Sequence, residues 1–270
     1  MKTFFLHITL FIYGLLLINS PIAAQVLLPQ YSVWEGFAFS NQQAVESREA
    51  EERFARFLLH ITQQTPTQQA KQIGELLAKA EQNNATARFL TLAEKYLYDP
   101  NSPYRNDERY LLFLQYAATH RLADYTTNTR YQKQYTMVQR NRVGTLAADF
   151  PFKTQTGEEG DLYGVQSQYI LLFFHDPNCE ECQYVKQQLE SQHAHFAQKG
   201  VLVVAVYIDD EVEAWQKAHY PSAWLSVYAP EIDRQDLYDI KALPTLYLLD
   251  TQKRVVLKDA HIDKVVSYYE

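Results

Sequence analysis

Tyr169-Ile-Leu-Leu-Phe-Phe-His-Asp-Pro-Asn-Cys-Glu-Glu-Cys182 decides how this chain is read. Its first six residues form one apolar and aromatic run, the pattern of a strand buried on both faces. A short polar loop follows, and then two cysteines with two residues between them. They are the only two cysteines in 270 residues. Beyond them Cys182, Val185, Leu189, His193 and Phe196 recur every three or four residues. That spacing predicts an amphipathic helix closed by Gly200, with His193 packed on its apolar stripe. Val201-Leu-Val-Val-Ala-Val-Tyr-Ile208 predicts a second buried strand. Strand, helix and strand within about 40 residues make a βαβ unit, with parallel strands and a right-handed crossover. A C-x-x-C at the junction of strand and helix points to a reversible dithiol. Two structural cysteines, or a disulfide that never cycles, remain the competing reading.

Around this unit the pattern stays short and mixed. Asp149-Phe-Pro-Phe152 predicts a short strand, and Thr154 to Gly160 a turn with Gly157 and Gly160 suited to positive φ. Glu211 to Tyr220 and Ile232 to Ile240 predict short helices. Thr245-Leu-Tyr-Leu-Leu249 and Arg254-Val-Val-Leu257 flank a polar turn and predict a hairpin. Ile262 to Tyr269 predicts a terminal helix.

Upstream of Val143 the period is helical. Ala50, Phe54, Phe57, Leu58 and Ile61 mark one helix. Thr65-Pro66-Thr67 breaks it and offers a cap for the next, whose stripe is Ile73, Leu76, Leu77 and Ala80. Asn83-Asn84 is a further break, followed by a helix from Ala85 to Tyr98. Asp99-Pro-Asn-Ser-Pro103 is a proline-bounded loop. Asp107 to His120 and Tyr125 to Val143 predict two more helices. The run Glu46 to Arg53 reads as a solvated helix face.

Composition narrows the function. A net charge of −7 argues against a nucleic-acid or acidic-membrane surface. Two cysteines cannot build a four-thiolate zinc site, and His193 and His195 lack zinc-finger spacing from Cys182. No metal is expected. Residues 1–24 read as a secretory signal: Lys2, an apolar stretch from Phe4 to Ile18, and Ile22-Ala-Ala24 as cleavage site. The expectation is a chain exported to a compartment where disulfides form, with no stable membrane insertion after the signal is removed.

The βαβ unit, the C-x-x-C between its first strand and helix, and Leu243-Pro244-Thr245 opening a later strand together resemble the thioredoxin fold. Val143-Gly-Thr-Leu-Ala-Ala-Asp-Phe150 is similar to the entry strand of the TlpA-type branch, the exported thiol–disulfide oxidoreductases. The resemblance covers 143–270. It implies a three-layer α/β/α domain with a central mixed sheet, preceded by an all-α helical domain over 25–142. It also implies a periplasmic location in a Gram-negative bacterium, disulfide-bearing protein substrates and a thiol electron donor. No cofactor is implied beyond the redox-active Cys179–Cys182 disulfide. Five positions depart from the family pattern. Ala148 stands where proline is usual, Asn178 replaces the aromatic residue before the first cysteine, Glu180-Glu181 is the central pair, and Phe173 occupies the place of a buried acid.

The site residues follow. A thiol attacks a disulfide only as thiolate, and a helix N-terminus favours negative charge. Cys179 is therefore the expected nucleophile, and Cys182, one turn on and along the apolar stripe, the resolving thiol. Pro244 is the expected cis-proline beside the dithiol, leaving the Leu243 backbone to pair with an extended substrate. Glu180, Glu181 and His175 are candidate tuning residues. Carboxylates facing the sulfur would disfavour the thiolate and tilt the pair toward a reductant. His175 could move a proton or stabilise the thiolate. The alternative function is a non-catalytic envelope binding protein, in which the helical domain recognises a partner and the thioredoxin-like part is a scaffold.

Overall fold

The structure is a computed structural model that describes residues 33–120 and 125–269. The signal read at 1–24 lies outside the described residues. Gly36–Glu270 forms one compact unit.

Helices come first: α1 (Gln42–Val45), α2 (Arg48–Thr62), α3 (Pro66–Gln82), α4 (Thr86–Leu97), α5 (Asp107–Thr119) and α6 (Tyr125–Val138). Their starts follow from capping chemistry. Asn41, Ser47 and Asn106 each accept a first-turn N–H through the side chain. Thr65 and Gln68 cap α3 reciprocally, with Pro66 in its first turn. The apolar stripes meet in an aromatic centre, where the Phe54 ring lies 6.2 Å from Phe89 and 5.8 Å from Phe113. The stripe of α2 named from sequence, Ala50 to Ile61, is buried throughout. α1 was not anticipated, because four residues are too few to show a period.

The rest alternates strand and helix: β1 (Pro151–Thr154), β2 (Glu159–Asp161), β3 (Tyr169–Phe174), α7 (Glu180–Ser191), α8 (His193–Gln198), β4 (Val201–Tyr207), α9 (Val212–Lys217), β5 (Leu225–Tyr228), α10 (Glu231–Arg234), β6 (Thr245–Asp250), β7 (Val255–Leu257) and α11 (Ile262–Ser267). The strands form one mixed sheet in the order β2-β1-β5-β4-β3-β6-β7. β3 runs parallel to β4, from Tyr169 opposite Val201 to Phe174 opposite Val206. β6 lies antiparallel on its other side, with Phe174 opposite Thr245. The cysteine-bearing loop and the start of β6 therefore meet at one end of the sheet.

Alternate residues of β3 face opposite cores. Ile170, Leu172 and Phe174 pack with Phe150, Ile232 and Tyr247. Leu171 and Phe173 pack with Cys182, Val185 and Leu189 of α7 and Val265 of α11. Both margins of the sheet are short. β2 is fully exposed, and β7 pairs with β6 across a register shift.

Several local expectations fail. Gly157 takes the positive φ expected of it, but Gly160 does not and lies inside β2. The helix after Cys182 is interrupted at Gln192, which leaves the helical φ/ψ region, and α8 resumes in a new phase. His193 is consequently exposed and not on the core stripe, while Phe196 remains buried. α9 stops at Lys217 because the chain turns extended at Ala218, ahead of Tyr220-Pro221. Ile232 to Ile240 is not one helix. Asp236 takes a φ of +49°, and the Leu237 N–H turns back to the Ile232 carbonyl at 2.8 Å. β5 was not anticipated at all.

Helices α4 to α6 and the sheet meet along a charged seam. Tyr98 donates to Asp239 Oδ1 at 3.0 Å, and Lys258 Nζ donates to the Val138 and Arg140 carbonyls at 3.0 and 2.9 Å. A cavity of about 660 Å³ opens there, lined by Tyr98, Arg130, Met137, Tyr238, Asp239 and Lys241 among others.

Candidate active site

β3 ends at Phe174, and the next residues make a tight turn. Asp176 Oδ1 accepts the Asn178 N–H at 2.7 Å, and the Asp176 carbonyl accepts the Cys179 N–H at 3.2 Å. This turn delivers Cys179 to the N-cap of α7, where its backbone is extended. The cysteine then does what a serine or aspartate usually does at that position: its sulfur accepts the Cys182 N–H at 3.2 Å. An N–H aimed at sulfur and the positive end of the helix dipole both favour a thiolate there.

Cys182, on the first turn of α7, is 1% exposed, whereas Cys179 is half-buried. Both are free thiols. Burial pushes the Cys182 thiol well above the ordinary cysteine range, against a smaller opposite effect from a hydrogen bond with the Asp176 backbone. One sulfur is thus presented to the outside and the other held as a protonated thiol behind it.

Leu243-Pro244 forms the opposite wall, and its peptide bond is cis. Cys179 Sγ lies 3.9 Å from the Leu243 carbonyl oxygen. Among the described residues nothing accepts the Leu243 N–H. Main-chain groups of an extended polypeptide could pair there beside the sulfur.

His175 is 3% exposed. Its ring stacks on Phe173 with centroids 4.7 Å apart, and Tyr220 meets it edge-on at 5.4 Å. Burial, with the nearby Lys186 cation, lowers its pKa to about 3. The imidazole is therefore neutral at physiological pH and brings no positive charge to the thiolate. Among the described residues Nε2 has no hydrogen-bond partner. Glu180 and Glu181 are exposed in the first turn of α7. Solvent there screens the repulsion expected of them. Phe173 occupies the core beside Cys182, so no carboxylate arises from that position.

Sequence reasoning missed Tyr220, which closes over His175 from the segment after α9, and the Asp176 side chain that shapes the turn. Asp-Pro-Asn before the first cysteine carried a turn signal that could have exposed the latter. Among the described residues no group of three or more His, Cys, Asp or Glu side chains is arranged to hold a metal ion. No described helix is long and apolar enough to cross a membrane.

Comparison with known proteins places this geometry. Residues 167–255 match the family described as thioredoxin-like, and residues 23–141 match a domain of unknown function, DUF5106. The thioredoxin-like protein YneN of Bacillus subtilis is 25% identical over 122 residues, 44% of this chain and 71% of that protein. The thiol-disulfide oxidoreductase ResA of Bacillus subtilis is 29% identical over 118 residues, 42% of this chain and 64% of ResA. The match takes in just under two thirds of ResA. A crystal structure of a thioredoxin-like protein from Bacteroides caccae has a TM-score of 0.82 at 29% identity, covering 87% of this chain and 88% of that one. That likeness runs through the helices as well as the sheet. The chain thus carries a thioredoxin-like domain, similar to a thiol–disulfide oxidoreductase, with a DUF5106 match covering the helices in front of it.

Proposed function

We propose that the protein is an exported thiol–disulfide oxidoreductase that reduces disulfides of substrate proteins. The observation that carries this reading is the Cys182 N–H directed at the Cys179 sulfur at the start of α7, with Cys182 itself buried behind. The Cys179 thiolate attacks one sulfur of a substrate disulfide. A Cys179–substrate disulfide forms, and the other substrate sulfur leaves as thiolate and takes up a proton. Cys182 then loses its proton and attacks Cys179 Sγ, closing the Cys179–Cys182 disulfide and releasing the second substrate thiol. Two electrons have passed to the substrate, and a dithiol donor returns them to the enzyme. The Leu243 backbone and Pro244 guide the substrate chain past the sulfur.

Export rests on the signal read at residues 1–24. The reducing direction rests on Glu180 and Glu181, whose charge opposes the dithiolate; their exposure makes that contribution small. The helical domain, over 25–142, does not itself carry a thiol. The second reading, a non-catalytic binding protein, draws on the cavity at the seam and on Asn178 before Cys179.

Reduction of insulin by dithiothreitol separates them. The proposed enzyme accelerates it, Cys179→Ser removes the acceleration, and Cys182→Ser accumulates a mixed disulfide with a protein substrate. A wild-type chain no faster than dithiothreitol alone would leave the binding reading in its place.

A further inference from the structure

Lys241 sits two residues before Leu243, and its side chain is 4% exposed. Its ammonium meets three carboxylates: Asp239 Oδ2 at 3.1 Å, Asp107 Oδ1 at 3.2 Å and Asp259 Oδ2 at 3.3 Å. It also lies 4.7 Å from the centre of the Tyr98 ring. Two further cations complete the group. Lys258 reaches Asp107 at 3.0 Å, and Arg105 reaches Asp259 at 3.3 Å. Three cations face three carboxylates, so the buried cluster is neutral as a whole.

The cluster spans the molecule's two parts. Tyr98, Arg105 and Asp107 come from the helical part, at the end of α4 and the start of α5. Asp239, Lys241, Lys258 and Asp259 come from the segments on either side of the β6–β7 hairpin. The helical part thus grips the chain just before the Leu243–Pro244 loop and again just after β7.

That loop is also held at Tyr238, which is buried and donates to the Ala148 carbonyl at 2.7 Å, and at Leu243, which packs against both cores of the sheet. It carries no regular secondary structure from Leu237 to Pro244. Thr245 Oγ1 donates to the Ala242 carbonyl at 2.6 Å, and the Leu243 N–H has no partner among the described residues. Two residues of chain span about 7 Å at most, so the place of the Lys241 backbone limits where Leu243 can lie. Ion pairs in a low-dielectric seam are geometrically exacting, and removing one partner leaves the others uncompensated.

We infer that Lys241 is a positioning residue, through which the helical domain holds the Leu243–Pro244 loop in register for an extended polypeptide at Cys179. The inference rests on the proposed reductase reading. It gives the helical domain a role in substrate recognition without requiring it to touch the disulfide. Its signature is selectivity. Substrates with a peptide backbone beside the disulfide depend on the loop, and a small disulfide such as 2-hydroxyethyl disulfide does not.

The test uses the full chain and three variants: Lys241→Met, Asp107→Asn and the conservative Lys241→Arg. In Lys241→Met and Asp107→Asn, kcat/KM for insulin falls about tenfold to a hundredfold, mainly through KM. Reduction of 2-hydroxyethyl disulfide, alkylation of Cys179 by iodoacetamide and the pair's reduction potential stay at wild-type values. Lys241→Arg recovers most of the loss. Hydrogen exchange over 239–246 speeds up in the first two variants and not in the third. Wild-type kinetics on insulin in both Lys241→Met and Asp107→Asn would refute the role, and so would equal losses on insulin and the small disulfide. If the wild type itself reduces neither, the reductase reading has failed. Exchange then decides alone: no change over 239–246 in Asp107→Asn disposes of the coupling, and faster exchange upholds the hold on the loop.

Discussion

The Cys182 N–H points at the Cys179 sulfur from 3.2 Å, so the two halves of the C-x-x-C are joined by a hydrogen bond as well as by sequence. The same residue that solvates the outer sulfur supplies the inner one. The arrangement makes the cysteines unequal, and the inequality is measurable.

Iodoacetamide at pH 8 should label the reduced chain once, at Cys179. Cys182 is almost fully covered and its thiol is held protonated by burial. Mass spectrometry of the labelled chain reads the outcome, and denaturant should expose the second site. Equal labelling of both cysteines in the folded chain would contradict the burial argument.

His175 gives stability a pH dependence with a definite sign. Its folded pKa is about 3 against an ordinary value of 6.5. Between those values the unfolded chain binds a proton that the folded chain excludes. The stability tied to the neutral ring is therefore full above pH 6.5 and lost as pH falls toward 3, at no more than about 1.4 kcal/mol per pH unit. His175→Phe keeps a ring on Phe173 and removes the titration. Urea unfolding at pH 7.5, 6 and 4.5 should show the wild type losing stability relative to this variant; parallel curves would count against it.

Glu180→Gln and Glu181→Gln should raise the reduction potential of the pair, because each removes a charge that opposes the thiolate. Both side chains are exposed, so the change should be about 20 mV or less and shrink with added salt. Equilibration with glutathione at two ionic strengths measures it. A shift in the opposite direction would remove the electrostatic basis for calling the enzyme a reductant.

Phe54→Ala should destabilise the chain by about 3–5 kcal/mol, since the ring is fully buried among Phe57, Phe89, Tyr96 and Phe113. Thermal and urea unfolding give the figure. A loss below about 1 kcal/mol would mean that the helical core repacks around the void.

Much of this architecture could be read from residues. β3 and β4 were visible because strands buried on both faces are continuous apolar runs. Cys179, Cys182 and Pro244 were visible because their chemistry is local. β5 was not, since among its four residues only Val227 is fully buried and nothing alternates. His193 was misplaced because periodicity assumes one unbroken helix, and Gln192 resets the phase. The Lys241 cluster left no trace in the sequence. Its charges come from positions 105, 107, 239, 241, 258 and 259, and only folding makes them neighbours. Such a contact has neither period nor motif.

The margins of the sheet have a consequence for association. β2 is three exposed residues with Glu159 and Asp161 as its side chains, and β7 is three residues with a shifted register. Neither rim offers a long, flat ladder of unpaired main-chain groups, so copies of the molecule have little to zip onto at either end. A passing unfolded chain meets the same blunted edges. On the proposed reading, strand-like pairing would instead take place at the Leu243 N–H, which has no partner among the described residues and would bring the visitor against a sulfur.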